Sequence, residues 1–235
     1  VYHLVSSLQP LRGTVYLVYA NPPAIDKGVR LINANLNRLF DRSLSGDTYE
    51  YQRAKELMDL LDTCDALLDI HSYNSEMGDQ FLITEDNGLE LAAKLDFPLV
   101  ATGFSAMGAG SDSYMSNNGK VGLTAECGTT NRADYFFPLA VKTALQFLQH
   151  FGNIDEVEPF SAVAQRRVKA ERMIKKMTDS FKFSREYKDF ERLADGEIFA
   201  TDGDITHMAG EGECIIFPRV TVAIGGEACI IGKEY

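Results

Sequence analysis

Residues 50–71 read EYQRAKELMDLLDTCDALLDIH, and two periodicities meet inside that stretch. Leu57, Met58, Leu60 and Leu61 recur at helical spacing, so Glu50 to Asp62 predicts an amphipathic helix. Ala66-Leu67-Leu68-Asp69-Ile70 follows as a short, unbroken apolar run of the kind that fills a parallel sheet covered on both faces. Helix followed by buried strand is the unit from which α/β sheets are assembled.

The alternation extends in both directions. Upstream, Thr14-Val15-Tyr16-Leu17-Val18-Tyr19 is β-branched and aromatic and stops at Asn21-Pro22-Pro23, which predicts a strand ending in a turn. Downstream, the pattern predicts a helix near Leu89 to Leu95, a strand at Pro98-Leu99-Val100-Ala101, a strand from Val121 to Ala125 and an amphipathic helix from about Tyr135 to Phe151. The fold class is therefore α/β, a sheet with helices on both faces. After Asn153 the texture changes to short β-like runs broken by Gly and Asp. Residues 1–155 are expected to form the α/β domain and 156–235 a smaller β-rich domain. The clearest strands of the latter are Ile198-Phe199-Ala200, Glu213 to Phe217 and Val220-Thr221-Val222-Ala223, with turns at Asp202-Gly203-Asp204 and Gly225-Gly226. By residue type alone, Arg167 to Met177 reads as a helix.

A chain of 235 residues, 45% hydrophobic and 24% charged, can bury one large core or two modest ones. The formal net charge of -11 repels phosphate backbones and anionic lipid, which argues against nucleic acid and membrane partners and for a small-molecule substrate. Cys64, Cys127, Cys214 and Cys229 show no CxxC spacing and no disulfide-scaffold density, so reduced thiols and a cytoplasmic setting are expected. No apolar run approaches the roughly 20 residues of a membrane helix. The start, Val1-Tyr2-His3-Leu4, has neither an initiator Met nor the layout of a signal peptide. Assembly into a homo-oligomer is left open.

Three segments carry candidate chemistry. Asp69 and His71 lie two apart at the end of the buried run, so on a strand both side chains share a face near its carboxyl end, where open α/β sheets place ligands. A histidine there can bind zinc while a nearby carboxylate or carbonyl orients its other nitrogen, although on the pair alone a satisfied strand-end histidine is the readier reading. Glu126 closes Val121-Gly122-Leu123-Thr124-Ala125. A carboxylate so placed is either a structural ion partner or a general base. The stretch from Asn21-Pro22-Pro23-Ala24 through Arg30 to Asn35-Leu36-Asn37-Arg38-Leu39-Phe40 concentrates amides and two arginines. That is the local cationic cluster an acidic protein needs to hold an anionic substrate, whereas either arginine alone is an ordinary surface residue.

Taken together, NPxA, Arg30, NLNR-x-F, D-x-H and a Glu closing a Gly-bearing strand resemble the aspartoacylase and succinylglutamate desuccinylase family, relatives of the zinc carboxypeptidases. The resemblance is clearest over Thr14 to Phe40 and Leu67 to Gly78, fair over Val121 to Phe151 and loose in the tail. It implies a zinc-carboxypeptidase-like mixed sheet and a zinc-dependent amidohydrolase acting on linear amides, a deacylase for an N-acyl amino acid or similar carboxylate-bearing molecule. It implies Zn2+ as cofactor, His71 as third metal ligand with Asp69 behind it, Glu126 as general base, Arg30 as stabiliser of the oxyanion, and Asn37 and Arg38 as holders of the substrate carboxylate. It also assigns Arg167 to Met177 to a strand.

The family's other two ligands come from a His-x-x-Glu motif, and no histidine here is followed by Glu at that spacing: His3 precedes Ser6, His71 Asn74, His150 Asn153 and His207 Gly210. A catalytic zinc normally has three protein ligands. The expectation is that the motif lies upstream of Val1; the alternative is a metal-free relative acting as a binding or interaction module. Aspartoacylase proper also uses an Arg where Thr102 to Lys120 offers only Lys120, and a carboxy-terminal tyrosine with no clear match near Cys229, so N-acetylaspartate fits poorly. Gly103 to Gly110 lacks the Lys-Ser/Thr ending of a phosphate loop and is read as a mobile loop on the substrate side. Tyr114 beyond it is an ordinary loop tyrosine or a donor to substrate.

Overall fold

The computed structural model describes residues 10–73, 80–108, 110–156, 158–160, 163–219 and 221–235. Asn21-Pro22 opens a helix where a loop was expected. The Asn21 side chain accepts the Ala24 N–H at 3.2 Å, Pro22 begins helix α1 (Pro22–Lys27), and Gly28 closes it at φ 61°. These are the cap, first-turn and left-handed stop residues that helix ends select.

The helix read from residue 50 is α2 (Tyr49–Leu61), and the apolar run after it is β1 (Ala66–Tyr73). There follow β2 (Phe81–Thr84), α3 (Leu89–Ala92), β3 (Leu99–Thr102), α4 (Ser111–Asn117), β4 (Val121–Thr129) and α5 (Ala133–His150). The tail comprises β5 (Arg166–Lys175), β6 (Lys182–Phe183), β7 (Glu191–Arg192), β8 (Ile198–Asp202), β9 (Ile205–Met208), β10 (Glu213–Ile216) and β11 (Glu227–Glu234).

Eight strands form one sheet in the order β1-β4-β2-β3-β5-β11-β10-β7, and β6-β8-β9 form a second. β1–β4, β2–β3 and β3–β5 are parallel, while β2–β4 and the pairs beyond β5 are antiparallel, so the large sheet is mixed. Leu123, Ala125 and Cys127 of β4 point to one face, where Leu139, Ala140 and Phe147 of α5 pack. The even-numbered residues, Gly122, Thr124 and Glu126, therefore face the other side, against α4. Gly122 makes that approach possible: a Cβ there would lie 2.1 Å from the Asp112 carbonyl oxygen. The boundary expected near residue 155 falls between α5 and β5, and the sheet continues across it through the β3–β5 pairing.

β5 is a strand despite its helix-forming composition. Val168 and Ala170 are buried while Lys169 and Glu171 are exposed, and ladders on both sides outweigh local propensity.

Two expected strands are absent. Thr14–Tyr19 is extended, with Val15 and Leu17 half-buried and Tyr16 and Val18 exposed, but among the described residues it has no strand partner. Among the described residues it is anchored near its ends, where the Leu11 N–H meets the Asn153 carbonyl and Arg53 donates to the carbonyls of Tyr19 and Ala20. β-propensity favours extension, but a strand also needs a neighbour's backbone. Val220 lies outside the described residues, and Thr221 to Ala223 run into the turn that feeds β11 rather than a strand of their own. Gly225 takes φ 83° and donates to the Lys176 carbonyl, and Gly226 donates to that of Ala223.

Candidate active site

The parallel register of β1 and β4 sets His71 directly beside Glu126 and Asp69 beside Thr124. His71 Nε2 lies 3.1 Å from Asp69 Oδ2, and His71 Nδ1 lies 3.5 Å from Glu126 Oε1. The imidazole is thus bracketed by two carboxylates at the carboxyl ends of neighbouring strands. Burial works against charge on His71, but the Asp69 carboxylate and hydrogen bonds to both acids outweigh it and raise its pKa well above the ordinary value. For Asp69 too, burial is outweighed, here by His71 and by the Ser111 hydroxyl, and its pKa is lowered. Glu126 is buried at 8% exposure, and its Oε2 has no hydrogen-bond partner among the described residues. A buried carboxylate oxygen without a donor is costly, which marks this atom for a proton or a ligand not otherwise provided. The adjoining Cys127 thiol is pushed up to about 12, by burial and then by the Glu126 charge, so it is no nucleophile near neutral pH.

Asn37 joins this group through α4. Its Oδ1 accepts the Ser111 N–H at 3.1 Å, and the Ser111 hydroxyl donates to Asp69 Oδ2 at 2.5 Å. Arg38 follows in the same 3-10 turn, Leu36–Arg38, with Nη1 donating to the Asn37 carbonyl at 2.8 Å. Arg38 Nη2 stands 4.0 Å from the Glu227 carboxylate of β11, which Arg219 approaches to 3.4 Å from the other side. Arg30 is different: it is exposed, and among the described residues no hydrogen bond or ion pair joins it to His71 or Glu126.

Three acids that organise the site, Glu50, Glu85 and Asp112, were not singled out from sequence, whereas Lys120 and Tyr114 were. Glu50, fully buried at the start of α2, accepts the N–H groups of Ile32 and Asn33 at 2.7 and 3.1 Å and so anchors the loop between Arg30 and Asn37. Glu85 does the same for residues 103–108, accepting from the Gly103 and Ser105 N–H groups; Ala109 lies outside the described residues. Lys120, the lone cation of its stretch, donates to the last carbonyls of α2, at Leu61 and Asp62, as a helix carboxyl end favours. Tyr114 lies on α4, donates to Asp62 and accepts from Arg42. Asp112, buried beside Asp69, has its pKa raised by burial and then by that neighbour's charge, against the Ser113 N–H. Glu50 and Asp112 stand in the first turns of helices and Glu85 just before a 3-10 turn, places where acids are common, so residue type alone gave no signal for these three.

Among the described residues no group of three His, Cys, Asp or Glu could hold a metal ion, and no helix is long and apolar enough to cross a membrane. The four cysteines are free thiols.

Residues 1–150 match the model of the succinylglutamate desuccinylase/aspartoacylase catalytic domain. The chain is 28% identical to a succinylglutamate desuccinylase of Vibrio cholerae serotype O1 over 97% of its own length and 72% of that protein's. It is 29% identical to an N-acyl-aromatic-L-amino acid amidohydrolase of Xenopus tropicalis over 63% of the chain and 55% of that protein. In fold it is similar to the crystal structure of succinylglutamate desuccinylase from Vibrio cholerae, with a TM-score of 0.76 at 24% identity over 92% of this chain and 69% of that one. The sheet order, the paired strand ends and the family match over most of the chain lead to one assignment: this protein belongs to the succinylglutamate desuccinylase/aspartoacylase family.

Proposed function

We propose that the protein is a zinc-dependent deacylase that hydrolyses the amide bond of an N-acyl amino acid or a similar small molecule bearing a carboxylate. The observation that carries this reading is the buried, unpartnered Oε2 of Glu126 beside His71, two chemically distinct groups opening at one end of the sheet. The names of the relatives, a desuccinylase and an amidohydrolase, support the reaction class.

His71 fits a metal ligand in one respect: Asp69 engages Nε2, as carboxylates do behind metal-binding histidines, and leaves Nδ1 on the Glu126 side. The remaining ligands have to come from outside the described residues. Zinc, when bound, supplies Lewis acidity that makes a water acidic near neutral pH and polarises the scissile carbonyl. In this reading Glu126 takes the proton from the attacking water at its free oxygen and returns it to the departing amine, so the carboxylate is regenerated. Asn37 and Arg38 hold the substrate carboxylate, Arg38 exchanging part of its interaction with Glu227 for the ligand. Arg30, exposed on its loop, turns inward to meet the developing oxyanion when substrate is bound.

The test is Glu126→Gln in the full-length protein, assayed on a panel of N-acyl amino acids that includes N-succinylglutamate, with metal content measured alongside. Turnover is expected to fall by a factor of about 10² to 10⁴, the usual worth of a general base, while zinc stays near one per chain. Near-native activity in that variant removes Glu126 from the role. A full-length protein with neither zinc nor hydrolysis replaces the enzyme with a binding module.

A further inference from the structure

Ser111 touches both halves of the site, and its two contacts use different parts of it. Its hydroxyl donates to Asp69 Oδ2, the same oxygen that faces His71 Nε2. Its backbone N–H donates to Asn37 Oδ1. We propose that Ser111 is a positioning residue with two separable arms, the hydroxyl fixing the Asp69–His71 pair and the N–H fixing the amide of Asn37. The inference rests on the deacylase reading for what the two halves do, but not for the positioning itself.

A carboxylate can rotate about its χ2, and a histidine bonded to only one of its oxygens follows that rotation. Two donors on one oxygen, from opposite elements, remove the freedom: β1 supplies His71 and α4 supplies Ser111. Ser111 is 4% exposed, so water does not compete for either bond. The second arm follows from helix geometry. As the first residue of α4, Ser111 has an N–H without an intrahelical acceptor, and the side-chain Oδ1 of Asn37 satisfies it. With Oδ1 so committed, the NH2 group is what Asn37 has left to offer an anion, the polarity a carboxylate requires. The neighbouring glycine keeps the contact close, since a Cβ on Gly110 would fall 2.5 Å from Asp112 Oδ1 and 3.4 Å from Asn37 Oδ1.

The arms can be removed one at a time. Ser111→Ala deletes the hydroxyl and keeps the N–H. Ser111→Pro deletes both and puts its Cδ where the N–H pointed at Asn37 Oδ1, turning that amide away; the backbone accepts it, since proline suits the first turn of a helix and Gly110 at φ -77° and ψ 163° has the extended backbone a residue before proline adopts. Ser111→Thr keeps both arms. Nitrogen-15 NMR of the chain without added metal is read at the ring nitrogens of His71 and the side-chain amide of Asn37, beside kcat and KM on whichever N-acyl amino acid of the panel is cleaved.

The Ala variant is expected to move the His71 ring signals and lower kcat about tenfold, with KM and the Asn37 amide signals unchanged. The Pro variant is expected to move the Asn37 amide signals as well and to raise KM by a further factor of about ten. The Thr variant is expected to restore both. His71 signals that are the same in Ser111→Ala as in the unaltered chain overturn the first arm. Asn37 signals that are the same in the Pro and Ala variants overturn the second. The spectra decide both points even where no substrate is turned over, so failure of the deacylase reading and failure of this inference are told apart.

Discussion

Side chains two apart on a strand share a face, and that rule put Asp69 and His71 on one side of β1, where the structure sets them 3.1 Å apart. Glu126 was equally legible because it closes an apolar run. Ser111, Glu50 and Glu85 were not, because their partners are backbone and side-chain groups far along the chain. Glu234 is a further residue of this kind and provides a pH test. It accepts from Arg192 at 2.7 Å and pairs with Arg166. The Arg192 hydrogen bonds, then those of Arg166, against some burial, hold its carboxyl down at about 2 from an ordinary 4.5. A depressed carboxylate stabilises the fold above its unfolded-state pKa and loses that contribution as pH falls through the folded value. Glu234→Gln is therefore expected to cost about 1–2 kcal/mol near pH 7, the lower part of the range for bonds to a charged group, because the side chain is partly exposed. In urea titrations the gap from the unaltered chain should close between about pH 4.5 and pH 2. A gap that stays constant over that window would show that the ion pair contributes nothing.

At the scale of elements, the site depends on how closely α4 sits on β4. Gly122 is the contact point, and its role is one of space rather than backbone conformation. Gly122→Ala is expected to push α4 outward and destabilise the fold by about 1–3 kcal/mol, the usual cost of overpacking. It should also lengthen the Ser111–Asp69 bond carried by that helix and so disturb the His71 ring signals. If melting temperature and those signals are both unchanged, the packing account of α4 is wrong. β1 shows the opposite situation. It stands at the edge of the large sheet with Ile70 43% exposed, and among the described residues its outer side meets no strand.

Across the whole molecule, the site and the β-rich tail share one sheet and a common core. Ile230 of β11 packs in the cluster that contains Phe81 and Ile83 of β2 and Leu99 and Ala101 of β3. Ile230→Ala removes a side chain that is 2% exposed and should cost about 2–5 kcal/mol. Because the core is shared, the loss should lower the melting of the whole chain in one transition, followed by far-UV circular dichroism and by the His71 resonances together. Separate transitions, with the tail melting first and His71 unmoved, would mean that the two parts fold independently. Against the net charge of -11, Arg38 and Arg219 gather positive charge around Glu227, as the proposed anionic substrate requires.

The sequence by itself determined the α/β class, the positions of α2, β1, β3, β4 and α5, and the shared face of Asp69 and His71, since each follows from periodicity or spacing within a few residues. Tertiary structure alone decided three other matters. Arg166–Lys175 became a strand because β3 and β11 offered it backbone partners on both sides, and Thr14–Tyr19 did not because none of the described strands lies beside it. Glu126 met His71 because the β1–β4 ladder is parallel and in that particular register. Asn37 reached Asp69 only through Ser111, 74 residues further along the chain. Local pattern carries information about what a segment buries, whereas which segments become neighbours is settled by the packing of the whole chain.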